Sequence, residues 1–140
     1  MICEIIAVGT ELLLGDIVNT NAQFLSQNLS SLGLDVYHQV VVGDNLGRLV
    51  EAIKLASSRS NIIITTGGLG PTDDDITKLG LSEALGVEMI LDQNSLEEVR
   101  SHFNKYGKSM PIINERQAYI PVGCRAIAND NGTAPGIIGE

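Results

Sequence analysis

The sequence predicts an α/β fold, a three-layer α/β/α sandwich built on a mostly parallel β-sheet. Short apolar runs, typical of buried strands, alternate with amphipathic stretches of about ten to fifteen residues, which is the pattern of successive β-α-β units. Glycines and polar residues follow several of these strands, as they do in open sheets that bind ligands beyond the carboxyl ends of the strands. The length of 140 residues suits one domain, 1–140, with its own core.

The composition narrows the possible partners and the compartment. A net charge of −8, with no basic cluster to offset it, argues against a nucleic-acid partner. The two cysteines, Cys3 and Cys124, have neither metal-ligand spacing nor a disulfide framework around them. The N-terminus lacks the basic region of a signal peptide, and no apolar run reaches membrane-spanning length. We therefore expect a cytoplasmic protein with no membrane partner.

The first part of the chain predicts two strands and two helices. Residues 2–8 form the first strand, residues 11–16 a loop, and Asn19 or Thr20 begins a helix. Residues 36–42 form the second strand, and another helix follows it. Apolar residues at helical spacing define the buried faces: Ala22, Leu25, Leu29 and Leu32 in the first helix, and Leu46, Leu49, Val50, Ile53 and Ala56 in the second.

The stretch 61–75 combines a strand, a glycine loop and a helix start. Its three consecutive isoleucines, residues 62–64, predict a strand buried on both faces. Thr72 and Asp75, three residues apart, match the capping box that begins a helix. The glycines between them end the strand and let backbone N–H groups approach a phosphate: Gly67, Gly68 and Gly70.

The rest of the chain continues the alternation. A helix after Asp75 contains Ile76, Leu79 and Leu85, and a strand over residues 87–91 follows it. Ser95 and Glu98 form a second capping box, which begins a helix that buries Leu96, Val99, Phe103 and Tyr106. Three shorter elements are predicted beyond it: a helical piece over residues 114–118 and strands over residues 126–128 and 137–138.

Polar residues at three strand ends are the candidates for a site, because strand ends converge at one edge of a parallel sheet. Neither standard nucleotide motif is present: Asp73 replaces the third glycine of the dinucleotide motif, and the lysine of a P-loop is missing. Three consecutive carboxylates beside an anion site predict a bound divalent cation, such as Mg²⁺, that reconciles the charges. Five residues could line one crevice: Thr10, Asp16, Asp44, Thr66 and Asp75.

Several of these polar residues also have a purely structural interpretation. Asp73 and Asp74 either complement the dipole of the following helix or act at the site. Asp44 is either a helix cap or a functional residue, and Asn19 is a helix cap first and a ligand contact second. Neither histidine is paired in sequence with a cysteine, serine or acid in a catalytic pattern, and we interpret both as structural.

Six stretches of the sequence resemble the N-terminal domain of the CinA (competence/damage-inducible) family, which belongs to the molybdopterin-binding superfamily that includes MogA and MoaB. They are residues 7–16, 19–22, 42–45, 66–72, 74–75 and 132–136. The resemblance implies the three-layer fold and a homodimer or homotrimer. It also implies that the domain continues past residue 140 and that the C-terminal deamidase domain of many relatives is not in this chain.

The resemblance implies chemistry as well. The loop of residues 66–68 binds phosphate in the family, and the two essential aspartates fall on Asp44 and Asp75. Relatives of this type are associated with divalent-metal-dependent hydrolysis of ADP-ribose. The family usually has lysine where this chain has Asp73, and that replacement removes a cation from the expected phosphate site.

The resulting hypothesis is metal-dependent hydrolysis of a nucleoside diphosphate sugar such as ADP-ribose, with Asp75 and Asp44 as catalytic residues. Asp75, Asp44 and Asp16 are the predicted metal ligands. The alternatives are a non-catalytic module that binds a nucleotide or pterin, and an enzyme of molybdenum-cofactor synthesis. The predicted ligand-binding residues are Thr10, Asn19, Asn21, Thr66, Gly67, Gly68, Gly70 and Thr72.

Overall fold

The computed structural model describes all 140 residues. They divide into two compact units, Met1–Gly68 and Leu69–Glu140. None of the helices is long and apolar enough to cross a lipid bilayer.

Unit 1 is a parallel sheet with helices. The order of its strands is β2-β1-β3, and both outer strands run parallel to β1. This arrangement confirms the predicted α/β class with a parallel sheet. The elements are β1 (Ile2–Val8), α1 (Thr10–Leu14), α2 (Thr20–Ser31), β2 (Asp35–Val42), α3 (Leu46–Ser57) and β3 (Ile62–Thr66).

The central strand β1 explains the layering of unit 1. Its side chains alternate between the two faces of the sheet, so Cys3 and Ile5 point to one face and Glu4 and Ile6 to the other. Helix α2 packs on the first face, where it buries Ala22 and Leu29 against Cys3 and Ile5. Helix α3 contacts all three strands, and its buried face covers the opposite side. Helix, sheet and helix therefore form the three predicted layers.

A buried ion pair lies on the second face of the sheet. The Glu4 carboxylate is 1% exposed and accepts hydrogen bonds from Arg59 Nε at 2.9 Å and Nη2 at 2.7 Å. Ser60 Oγ donates a third bond, at 3.2 Å. The guanidinium is the main reason that the pKa of Glu4 lies below its ordinary value. Since Arg59 follows Ser58, the C-cap of α3, this pair ties the end of that helix to the central strand.

Three predictions for unit 1 are wrong in detail. Residues 10–14 form the short helix α1 where a loop was predicted, and Gly15 ends that helix with a left-handed φ of 78°. Leu32 caps the end of α2 and is 73% exposed, so it lies outside the core. The isoleucines of β3 are only half-buried, because β3 is the edge strand of a three-stranded sheet.

Unit 2 contains helices and two antiparallel strand pairs. Strand β4 pairs with β5, and β6 pairs with β7. Parallel pairing is therefore confined to unit 1. The elements are α4 (Thr77–Leu85), β4 (Met89–Leu91), α5 (Gln93–Lys105), a 3₁₀ helix (Ile112–Ala118), β5 (Tyr119–Pro121), β6 (Arg125–Ile127) and β7 (Gly136–Ile138).

Both predicted capping boxes are wrong. Helix α4 begins at Thr77, and its N-cap residue, Ile76, provides no side-chain hydrogen bond. Thr72 and Asp75 do bond to each other, but in a turn that precedes the helix. Helix α5 is capped by Asp92, whose carboxylate accepts hydrogen bonds from both the N–H and the hydroxyl of Ser95. An aspartate three residues earlier thus takes the role predicted for serine.

The exposed and buried faces of α4 also differ from the prediction. Leu79 and Leu85 are 42% and 53% exposed. The helix instead buries Thr77, Lys78 and Ser82. A face of polar and small residues is buried because its polar groups find partners: Lys78 Nζ donates to the Gln117 carbonyl at 2.6 Å. Tyr106 is likewise exposed, because α5 ends at the preceding residue.

Candidate functional site

Thr10 and Asp44 form a reciprocal pair at the carboxyl ends of β1 and β2. The N–H of Thr10 donates to Asp44 Oδ2 at 3.2 Å, and the N–H of Asp44 donates to the Thr10 hydroxyl at 3.0 Å. The cap of α3 is Asn45, whose side chain accepts a hydrogen bond from the Arg48 N–H at 3.0 Å. The helix-cap alternative for Asp44 is therefore wrong. The second oxygen of Asp44 accepts no protein hydrogen bond, which leaves it open toward solvent.

Four predicted ligand residues lie together around one small recess in unit 1. Asn21 Nδ2 donates to the Thr66 hydroxyl at 3.0 Å. Asn19 caps α2 by accepting a bond from the Ala22 N–H, as predicted, and its side chain also borders the recess. The recess has a volume of about 120 Å³, below the roughly 300 Å³ of a usual ligand pocket. It has room for one group of a nucleotide. Its lining residues are Val8, Glu11, Leu12, Ile17, Val18, Asn19, Thr20, Asn21, Thr66 and Gly67.

The Gly67-Gly68 pair is required by the shape of the backbone. Gly67 has a φ of 91°, and a Cβ at this position would lie 2.2 Å from the Val8 carbonyl oxygen. Gly68 has a φ of 62°, also left-handed. L-residues rarely adopt this conformation, and no side chain fits against Val8. The strand β3 can therefore turn sharply at its carboxyl end only with glycine there.

In unit 2, residues 70–75 form a turn that binds one of its own carboxylates. Asp75 Oδ2 accepts hydrogen bonds from the Thr72 N–H at 2.9 Å and the Thr72 hydroxyl at 2.6 Å. The Gly70 N–H donates to the same carboxylate, and a Cβ on Gly70 would lie 2.5 Å from Asp75 Oδ2. The Thr72 hydroxyl also contacts Asp74. These are the N–H and O–H donors that would bind a phosphate, and the carboxylate occupies them.

These hydrogen bonds determine the charge of Asp75. Burial by itself would raise the pKa of its carboxyl group, but the bonds from Thr72 and Gly70 and the nearby Arg116 outweigh it. The pKa of Asp75 therefore lies below its ordinary value. Asp75 is a carboxylate at neutral pH, which suits a residue that orients water or a cation rather than one that stores a proton.

Asp73 pairs with Arg116, a residue that the sequence pattern does not indicate. Its carboxylate, 99% exposed, accepts a bond from Arg116 Nη1 at 2.6 Å. Because α4 begins only at Thr77, neither Asp73 nor Asp74 lies in its first turn, and the helix-dipole alternative for them is wrong. Arg116 comes from the 3₁₀ helix, far along the chain, and no local spacing could have indicated this contact.

The remaining predicted residues make few side-chain contacts. Asp16 is exposed, its N–H donates to the Glu11 carbonyl, and its carboxylate makes no protein hydrogen bond. Within each unit, no group of three His, Cys, Asp or Glu side chains is arranged to hold a metal ion. His38 lies beside Glu4 in the strand register, and His102 of α5 packs against Tyr106, the C-cap of that helix.

The comparisons with known proteins agree with one another on the family. A family model described as "Probable molybdopterin binding domain" matches residues 4–139. Proteins named "Putative competence-damage inducible protein" match closely. The one from Caldicellulosiruptor saccharolyticus is 57% identical over 140 residues, all of this chain and 34% of that protein. The one from Clostridium acetobutylicum is 53% identical over 135 residues, 96% and 33% of the two chains. The chain thus spans about a third of these relatives.

Solved structures extend the comparison. A crystal structure of CinA from Thermoplasma acidophilum, a protein described as having unknown function, superimposes with a TM-score of 0.91 at 37% identity. The match covers 99% of this chain and 80% of that one. MoaB from Thermus thermophilus, a molybdopterin biosynthesis enzyme, matches with a TM-score of 0.58 at 18% identity over 86% and 78% of the chains. The second likeness shows a shared fold.

Proposed function

The chain belongs to the molybdopterin-binding domain family, as a CinA-type member, and from that premise we propose that it hydrolyses a nucleoside diphosphate sugar such as ADP-ribose with a divalent cation. The observation that carries the proposal is the state of Asp75. It is an ionised carboxylate bonded to the glycine turn at the donors suited to a phosphate. A hydrolase uses an ionised carboxylate at such a position to orient water.

The carboxylates suit a hard divalent cation such as Mg²⁺, which prefers oxygen ligands. Asp44 has one oxygen that accepts no hydrogen bond, and the carboxylate of Asp16 accepts none. In unit 1, Asp44 and Asp16 are the residues that would hold the ion. When bound, it would neutralise charge on the phosphates and polarise a phosphorus–oxygen bond.

The protein residues have separate roles in the proposed reaction. Water attacks one phosphorus, a new P–O bond forms, and the bridging P–O bond breaks to release AMP and ribose 5-phosphate. The Asp75 carboxylate accepts a hydrogen bond from that water, and the proton passes on to solvent because the pKa of Asp75 is low. The resemblance implies a catalytic role for Asp44 as well. The Thr10 N–H and hydroxyl hold that carboxylate in position.

The ligand would be recognised by backbone and amide groups. In unit 1, Gly67 and Gly68 would bind phosphate, while Thr10, Asn19, Asn21 and Thr66 would contact sugar or base. In unit 2, the donors of Gly70 and Thr72, which are also predicted to bind phosphate, hold the Asp75 carboxylate instead. The recess in unit 1 is lined by Asn21 and Thr66 together with the exposed apolar residues Ile17 and Val18. Such a mixed lining suits a heterocyclic ring, which has polar edges and apolar faces.

A second candidate is a binding module that holds a nucleotide or pterin without turnover. The family description favours it, since it refers to binding alone. A third, molybdenum-cofactor synthesis, would use the same residues. The homodimer or homotrimer implied by the resemblance stays a prediction, which light scattering tests.

Turnover of ADP-ribose by the purified chain distinguishes these candidates. We expect AMP and ribose 5-phosphate in the presence of Mg²⁺ and none after chelation. Thermal stabilisation by ADP-ribose without product would favour the binding module, because a ligand that binds only the folded state raises the unfolding temperature. Stabilisation by a molybdopterin and not by ADP-ribose would favour cofactor synthesis.

A further inference from the structure

Arg116 has an anchored backbone and a partly exposed side chain. It lies in the 3₁₀ helix next to Gln117 and Ala118, which are 2% and 0% exposed. Lys78 Nζ donates to the Gln117 carbonyl at 2.6 Å, and Asn114 Nδ2 donates to Gln117 Oε1 at 3.0 Å. The backbone beneath Arg116 is therefore anchored in the core of unit 2, while half of its own side chain, 51%, is exposed.

Only one nitrogen of the Arg116 guanidinium donates hydrogen bonds to the protein. Its Nη1 donates to Asp73 at 2.6 Å and to the Pro71 carbonyl at 3.4 Å, whereas Nη2 and Nε donate to no protein group. An exposed ion pair of this kind contributes little to stability and exchanges partners easily. The planar fork of guanidinium donors matches a phosphate better than a single carboxylate contact does.

The turn at residues 70–75 needs a cation if it is to hold a phosphate. Asp73, Asp74 and Asp75 place three carboxylates there, and repulsion would keep a bare phosphate away. Arg116 is the basic side chain that reaches this turn, and its charge helps to lower the pKa of Asp75. Arg116 thus brings a positive charge from a distant segment to a turn whose own charged residues are all acidic.

We propose that Arg116 is a phosphate-binding residue, whose guanidinium leaves Asp73 to bind a phosphate of the ligand at the turn of residues 70–75. Asp73 is then the internal counter-ion that holds the guanidinium when no ligand is bound. The inference rests on the part of the proposed function that concerns a phosphate-bearing ligand. It does not depend on turnover.

Binding of α,β-methylene-ADP, a diphosphate that cannot be hydrolysed at its bridge, tests the inference by calorimetry with Mg²⁺. We expect Arg116→Gln to raise Kd about 10- to 100-fold, as the loss of charge-assisted hydrogen bonds does, and Arg116→Lys to raise it less. Asp73→Asn removes the competing carboxylate and should lower Kd by up to about fivefold. Arg100→Gln, an exposed arginine of α5 without an ion pair, makes the same charge change as a control.

The opposite signs for Arg116→Gln and Asp73→Asn distinguish ligand binding from a structural role. If the ion pair only shapes the turn, both variants would weaken binding alike, and the inference would be wrong. It would also be wrong if Arg116→Gln matched Arg100→Gln. Absence of binding by the wild-type chain would overturn this inference together with phosphate binding, whereas binding without ADP-ribose turnover would overturn only the proposed hydrolysis. Should Arg116→Gln unfold, Arg116→Lys and Asp73→Asn still give the two signs.

Discussion

Replacing Gly67 with alanine tests the strictest geometric requirement of the candidate site. A Cβ there would lie 2.2 Å from the Val8 carbonyl oxygen, while a comfortable carbon–oxygen contact is about 3.3 Å. The loop after β3 would have to move by about 1 Å, in addition to the roughly 1–2 kcal/mol that a left-handed conformation costs a non-glycine residue. We expect a destabilisation of about 2–3 kcal/mol.

Gly86→Ala is the matched control for this substitution. Gly86 also has a left-handed φ, 68°, but no atom lies within 4 Å of its hypothetical Cβ. Its replacement should cost about 1 kcal/mol or less, because alanine also stiffens the unfolded chain. A displacement of 1 Å at a reactive site can cost about 100-fold in rate, so Gly67→Ala should lose ADP-ribose turnover and Gly86→Ala should keep it. Equal urea midpoints and equal turnover for the two variants would refute the reasoning.

Two further predictions concern buried charges. Arg59→Ala should destabilise the protein by about 3–5 kcal/mol, because it leaves the buried Glu4 carboxylate without its guanidinium partner. Glu4→Gln should destabilise it less, by about 2 kcal/mol. The reverse order of the two variants in urea unfolding would contradict this account. Burial lowers the pKa of Lys78 from 10.5 to about 8. Between these pH values the unfolded state therefore binds more protons than the folded state. The unfavourable contribution of Lys78 to the free energy of unfolding is relieved as the pH rises from about 8 to 10.5. The unfolding free energy of wild type relative to Lys78→Met should therefore increase over that range, and a flat difference would show that Lys78 titrates normally.

Features that depend on local sequence were predicted well. Strand β1 begins at Ile2 and ends at Val8, as predicted, because a continuous apolar run is typical of a central strand. Asn19 caps α2, as predicted. In each case the residue's own chemistry favours one structure with little help from the rest of the chain.

Features that depend on competition or distance were not predictable. Thr72 and Asp75 satisfy each other in a turn, so their spacing says nothing about the start of the next helix. Asp92 and Ser95 could each cap α5, and only the structure shows that the aspartate does. Arg116 reaches Asp73 across a separation of 43 residues. The spacing of neighbouring residues in the sequence cannot predict such an ion pair.

Asp75→Asn tests the central claim most directly. The amide keeps the shape of the side chain and an oxygen that can accept from Thr72, so the thermal midpoint should stay within a few degrees. Without the carboxylate charge, ADP-ribose turnover with Mg²⁺ should be lost. Full turnover by a folded Asp75→Asn variant would contradict the assignment of Asp75 to the reaction.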